Sequence, residues 1–310
     1  MPAGFARCGL GVVTRRQPGT RNLLNVNHSM SPARVRVLTL VAMIAFAGNS
    51  LLCRLALKGT GIDPASFTSI RMISGAVCLW FITQVRGGSH SGSGSWLSAF
   101  ALFLYAAAFS FAYVSLTAGT GALLLFGAVQ VTMIGYGFWN GERIRVPQVI
   151  GFLLAFGGLL GLLLRGISAP PLQGSALMLG AGVAWGVYSL RGRNPGDATR
   201  ATAGNFLRAV PFVAVLSAAT LPFVSLNSTG VFYAVSSGVL ASGLGYVIWY
   251  TALQGLSASS AATVQLSVPV LAAAGGIIFL GEQLSARLFI AATAILGGIA
   301  LTILGERKSS

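Results

Sequence analysis

Gly141-Glu142-Arg143-Ile144 and Gly281-Glu282-Gln283-Leu284 decide the fold of this chain, because each closes the fourth of five apolar runs and they stand 140 positions apart (281 minus 141). Working outward, Arg54 and Arg71 recur 137 positions on as Arg191 and Arg208. Ala47-Gly48 falls on Ala184-Trp185, Tyr113 on Tyr250, Leu116 on Leu253 and Gly157-Gly158 on Gly297-Gly298. The offset grows because the second copy carries the extra Gln254-Gly255-Leu256 after its third run. Only 8% of the 310 residues are charged, so shared greasiness does not explain charges in register. The pattern describes a duplicated bundle whose halves meet around a site.

Hydrophobic residues make up 55% of the chain, whereas a soluble protein of this size needs roughly 25% charged residues to cover its surface. Water is therefore not its main solvent. A span takes about 20 apolar residues, and lipid tolerates only helices or closed barrels because unpaired backbone groups are too costly there. The continuous runs lack strand alternation, so the expected fold is an all-α integral membrane protein of ten transmembrane helices. The spans are expected at about 36–57, 66–85, 96–116, 118–138, 148–164, 174–190, 203–222, 231–253, 260–280 and 288–304. Runs three and four nearly fuse, and the glycines and hydroxyls of 115–121 argue for a tight turn between them.

The formal charge of +15 does not point to nucleic acid, since the bases gather on no folded polar face and no aromatic platform accompanies them. Their distribution instead gives topology. Arg7, Arg15, Arg16, Arg21, Arg34, Arg36, Arg86, Arg143, Arg145, Arg191, Arg193, Arg200, Arg307 and Lys308 flank one side, against Lys58, Arg165 and Arg287 on the other. This bias puts both termini in the cytoplasm of a multi-pass protein of the plasma or bacterial inner membrane. Five helices per half then invert the second copy relative to the first. The units are a basic tail at 1–35, a repeat at 36–164, a connecting loop at 165–173, a second repeat at 174–304 and a short tail at 305–310. Met1 and Met30 both stay open as translation starts, and the tail has too little apolar length for a signal peptide. Cys8, Cys53 and Cys78 are odd in number and suit packing rather than a disulfide or metal.

The chain resembles the drug/metabolite transporter superfamily, in its ten-span form with two EamA domains. The residues that carry the resemblance are Arg71 and Arg208, the two Gly-Glu motifs quoted above, Ala184-Trp185-Gly186, and the stretch from Tyr250 to Val270 with Pro269. It covers about 36–304. Two departures stand out: Val129, followed by Gln130, stands where the second copy has Pro269, and 119–127 replaces a commoner alanine-rich segment. The resemblance implies an alternating-access transporter, an exporter or facilitator of small amphipathic metabolites such as amino acids. A proton-coupled drug/metabolite antiporter is the alternative, and a membrane sensor or scaffold is the alternative of another class. No paired carboxylates, histidine cluster or nucleophile with its base marks a reaction centre, so no enzyme activity, cofactor or metal is expected. The expected partners are a small-molecule substrate and the lipid bilayer, with monomer and homodimer both open.

Near the expected midplane lie Asn49, Ser50, Tyr105, Phe109, Gln130, Trp185, Tyr188, Tyr246, Trp249 and Gln265, a set of amides, hydroxyls and aromatic faces that suits a small amphipathic ligand. The bland alternative is aromatic packing. Arg71 and Arg208 lie toward opposite mouths and must snorkel, bond to an acceptor or meet an anionic group of the substrate. Arg54 reads as an interfacial anchor. Glu142 and Glu282 read as loop ties that reach helix-end amides or a basic side chain, with a gating role as the second option. Glycine pairs such as Gly157 and Gly161, or Gly182 and Gly186, are expected at close helix contacts.

Overall fold

The computed structural model describes residues 31–87, 94–139, 146–164, 169–192, 197–256 and 264–307. Among them the chain forms a short 3-10 turn at Leu221–Phe223 and ten long helical segments. They are α1 (Pro32–Gly59), α2 (Pro64–Val85), α3 (Trp96–Tyr113), α4 (Ala118–Trp139), α5 (Val146–Leu163), α6 (Leu172–Arg191), α7 (Ala198–Ala219), α8 (Ser228–Leu253), α9 (Ser267–Leu280) and α10 (Ala286–Arg307). Six of these, α1 to α4, α7 and α8, are long and apolar enough to cross a membrane by length and composition. The apolar parts of α5, α9 and α10 are shorter, and α6 is diluted by glycine and serine.

Local chemistry explains the helix ends. Ser31, Asp63, Ser95, Asp197 and Asn227 each accept a hydrogen bond from a backbone amide of the first turn they cap. Asp197 accordingly starts α7 earlier than the apolar pattern alone suggests. Between α3 and α4 the chain turns in four residues, with the Leu116 amide donating to the Ala112 carbonyl. The two fourth helices differ: α4 runs unbroken past Val129, whereas its counterpart α9 begins two residues before Pro269, which cannot donate a backbone hydrogen bond.

Apolar side chains crowd both the interior and the exterior. Phe81, Ile278 and Phe279 are 62%, 72% and 69% exposed, a surface that only lipid makes tolerable. The molecule is a multi-pass all-α membrane protein. Its helix contacts also follow the repeat. Matched helices pair directly, α2 with α7, α4 with α9 and α5 with α10, while α3 packs on α6 as α8 packs on α1. Likewise α4 packs on α6 as α9 packs on α1, so the halves interleave rather than sit side by side.

Close approach relies on glycine at a few points. A Cβ on Gly182 would lie 2.6 Å from the Leu125 carbonyl oxygen, so α6 and α4 touch backbone to backbone. The expected contacts at Gly157 and Gly161 are not there: both have nothing within 4 Å of a built Cβ, and the neighbouring Gly158 packs on Ala294 instead. A helix turns about 100° per residue, so the neighbour of an apolar glycine is as good a contact candidate as the glycine itself. Residues 237–244 of α8 form a widened π-helical turn, which is uncommon at this length and often marks a functional segment.

Candidate functional site

Four helices aim their polar and aromatic side chains at one point. On α1, Phe46, Asn49, Ser50 and Cys53 follow the three-or-four spacing of one helix face, and all are buried. From α3 come Tyr105 and Phe109, from α6 Trp185 and from α8 Tyr246. The Trp185 ring lies 4.8 Å from Tyr105 and 5.0 Å from Tyr246, and Phe46 meets Tyr246 and Trp249 edge-on at 6.0 and 5.8 Å. With Leu125 and Phe126 of α4 these groups enclose a cavity of about 20 Å³, room for roughly one water molecule.

The polar rim of this aromatic box is a connected network. Ser237 donates to the Asn49 carbonyl oxygen at 2.6 Å, and the Asn49 amide donates to the Tyr105 hydroxyl at 3.3 Å. Arg71 adds a second donor to that hydroxyl from Nη2 at 3.2 Å and donates from Nε to Ser242 Oγ at 3.2 Å. Its guanidinium lies over the Phe109 ring at 5.0 Å and the Tyr105 ring at 5.4 Å. Ser237 and Ser242 both belong to the π-helical turn, which brings two hydroxyls five residues apart onto this network. Gly238 lets that turn come against the backbone of Arg71, since a Cβ there would collide with the Arg71 carbonyl.

Arg71 is 1% exposed and bonded to Ser242 and Tyr105, so of the options the sequence left open it has found acceptors inside the bundle. Its counterpart Arg208 is part-buried and donates to the Gly204 carbonyl of its own helix at 3.1 Å. Tyr188 and Trp249 join the aromatic cluster from its edge. Gln130 is buried but does not line the cavity, and Gln265 is part-exposed just before α9. Glu142 lies outside the described residues. Phe46, Phe126, Ser237 and Ser242 were not singled out as cavity residues; the helical spacing of Phe46 with Asn49 was the available signal.

The two ends of the box differ. Toward the face where α1, α3 and α7 begin, a second cavity of about 210 Å³ lies among Ser95, Ser98, Tyr188, Arg191, Asn205 and Tyr250. The Trp185 and Tyr188 rings, 5.5 Å apart, stand between the two cavities. Toward the opposite face, Phe109 meets Tyr113 at 4.7 Å, and beyond them Arg54 pairs with Glu282 at 3.2 Å. Arg54 also donates to the Tyr113 and Val114 carbonyls at the end of α3, at 2.8 and 2.9 Å, while Glu282 accepts the Ala118 amide at the start of α4 at 2.8 Å. Each charge thus meets the helix end of opposite polarity. Gly281, at φ 63°, ends α9 in the left-handed conformation and turns Glu282 back into this seal. Arg54 is therefore no interfacial anchor; it is 8% exposed and ion-paired.

The model of the EamA-like transporter family matches residues 35–164 and 172–304. An uncharacterized protein of Pseudomonas aeruginosa is 56% identical over 88% of this chain and 96% of its own length. An uncharacterized transporter of Archaeoglobus fulgidus is 25% identical over 87% of this chain and 97% of its own. The threonine/homoserine exporter of Escherichia coli is 33% identical over 54% of this chain and 58% of its own length. A crystal structure of another protein superposes with a TM-score of 0.63 over 90% of this chain and 99% of that one, at 19% identity, which speaks for the fold alone.

Proposed function

From the premise that this chain belongs to the EamA-like transporter family, and so is a small-molecule membrane transporter rather than an enzyme, we propose an alternating-access carrier that exports small amphipathic metabolites such as amino acids. One observation carries the reading: two sequence-related halves interleave around a closed aromatic box, with an open cavity toward one face and an ion-paired seal toward the other. A carrier needs a central site that only one side reaches at a time, and inverted repeats give two equivalent ways to open it. On this reading all ten helices span the membrane, the second five inverted relative to the first. Both termini are cytoplasmic, which makes the 210 Å³ cavity a cytoplasmic vestibule and the Arg54–Glu282 pair the outer seal. The similarity to a threonine/homoserine exporter supports amino acids as the leading substrates.

Transport is proposed to be uncoupled. Among the described residues the carboxylates with known partners cap helices or seal the outer end, and none lines the box. The test is flux of radiolabelled threonine, homoserine and phenylalanine into and out of liposomes holding the purified protein. Saturable, protein-dependent flux without an imposed gradient is the expected result. Absence of flux for every compound defeats the carrier, and an absolute need for a proton gradient replaces the uncoupled mechanism with antiport.

A further inference from the structure

We infer that Arg71, with the hydroxyls of Tyr105 and Tyr246, is a subsite for a carboxylate of the transported molecule. The inference rests on the carrier reading and names the substrate class that its central site takes.

The Arg71 guanidinium is buried with neutral partners only: a serine hydroxyl, a tyrosine hydroxyl and two aromatic faces. Among the described residues the ion pairs are Arg54 with Glu282 and Arg200 with Asp197, so no carboxylate faces it. A cation taken out of water without a counter-ion is among the costliest groups a fold can hold. Its Nη1 also makes no hydrogen bond. Serine contacts and ring faces offset part of that cost, but they supply no negative charge.

Two hydroxyls at the same place have hydrogen-bonding capacity to spare. The Tyr246 hydroxyl is buried, has no acceptor at full hydrogen-bond distance, and faces the hydroxyl of Tyr105 and the charge of Arg71. The Tyr105 oxygen accepts from both Arg71 and Asn49, which leaves its own proton to be given elsewhere. An unused guanidinium nitrogen and two loosely engaged hydroxyls around one buried positive charge suit an acceptor with two or more oxygens and a negative charge. A single water in the small cavity beside them can accept hydrogen bonds but cannot neutralise the guanidinium. A carboxylate does both, and the rings of Phe46, Trp185 and Tyr246 then face the rest of the molecule. In the closed form the cavity is too small for such a ligand, so the subsite fills as the box opens.

The experiment uses the full chain in nanodiscs and reads tryptophan fluorescence, to which Trp185 and Trp249 at the box contribute. The probes are acid and alcohol pairs with one side chain: L-threonine against L-threoninol, L-phenylalanine against L-phenylalaninol, and lactate against propanediol, with sodium chloride as a control. Each acid is expected to bind about 100-fold more tightly than its alcohol, because a site built around donors rejects a ligand that lacks the acceptor. Arg71→Gln should abolish the preference while leaving the melting temperature unchanged or higher, since it removes a buried charge that nothing in the protein neutralises. Should that variant fail to fold, Tyr246→Phe serves in its place: it deletes one donor and should weaken acids about tenfold without changing alcohols. Equal binding of acid and alcohol, chloride binding as tight as the acids, or acid preference that survives Arg71→Gln each overturns the subsite. Flux of an uncharged or cationic compound with no acid binding sinks the subsite and spares the carrier. Acid binding without flux of any compound does the reverse.

Discussion

Arg54 and Arg191 occupy equivalent positions in the two copies, yet their surroundings differ. Arg54 is buried, ion-paired with Glu282 and bonded to two carbonyls at the end of α3. Arg191 is exposed beside the larger cavity and donates to the hydroxyls of Ser98 and Ser95 at 3.1 and 3.4 Å. The same contrast separates Arg71, buried in the central network, from Arg208, bonded to its own helix. Identical chemistry placed by a repeat has been given a closed setting at one end and an open one at the other. On the carrier reading, sequence symmetry with structural asymmetry is what one of two related states should show.

The largest effect should come from breaking the closed end. Arg54→Ala strands Glu282 in a nearly buried site, at a cost of about 3 to 5 kcal/mol, whereas Arg191→Ala at the open end should stay within about 0.5 kcal/mol. Thermal unfolding in nanodiscs checks both. On the carrier reading Arg54→Ala should also raise labelling of a cysteine placed at Asn49 from the outside, and Arg191→Ala should not. Equal destabilisation by the two variants breaks the comparison. If Arg54→Ala destabilises but leaves labelling unchanged, the pair is structural and no gate.

Glycine substitutions sharpen the same contrast between packed and open surfaces. Gly182→Ala drives a Cβ to 2.6 Å from the Leu125 carbonyl where α6 meets α4, and overpacking of this kind typically costs about 1 to 3 kcal/mol. Gly157→Ala meets nothing within 4 Å and should be neutral or stabilising by up to about 1 kcal/mol, the helix propensity difference. Denaturation midpoints of the two single variants decide it, and a costly Gly157→Ala would mean that this face of α5 is covered.

Particular residues explain what the sequence could and could not disclose. Asn49, Ser50, Tyr105, Phe109, Trp185 and Tyr246 were legible as a group because polar and aromatic residues deep in apolar runs are too costly to be casual, and they do line one cavity. Arg54 was misread because its partner lies 228 residues away, and no local pattern encodes that pairing. The burial of Arg71 was not legible, since depth along a helix says nothing of which neighbours close over it. The π-helical turn was invisible: the small residues of 237–244 allow it, but its hydroxyls bond to Asn49 and Arg71 only after three helices have assembled. The repeat itself was legible because it lies in charges, the one alphabet that a membrane chain uses sparingly.

The smallest effect concerns the two aspartate caps at opposite faces. Asp197 caps α7 and pairs with Arg200 in the next turn, a local arrangement. Asp63 caps α2 and also accepts the Ser225 amide, at 3.0 Å, so it ties the α1–α2 turn to the segment before α8. Burial works against the Asp63 carboxylate, but hydrogen bonds from Ser66, Ser225 and Ala65 outweigh it and hold its pKa below the ordinary value. The folded pKa is thus lower than the unfolded one, so the stabilisation is complete above the unfolded value and disappears as pH falls through the folded value. Asp63→Asn keeps an acceptor for the cap and loses the charge at the helix N-terminus; it should cost about 0.3 to 1 kcal/mol at neutral pH and close to nothing in acid. Melting temperatures of the parent and the variant, taken from neutral pH down through the carboxylate range, should therefore converge. Curves that stay parallel would show that Asp63 acts by shape alone, and that the tie to Ser225 owes nothing to its charge.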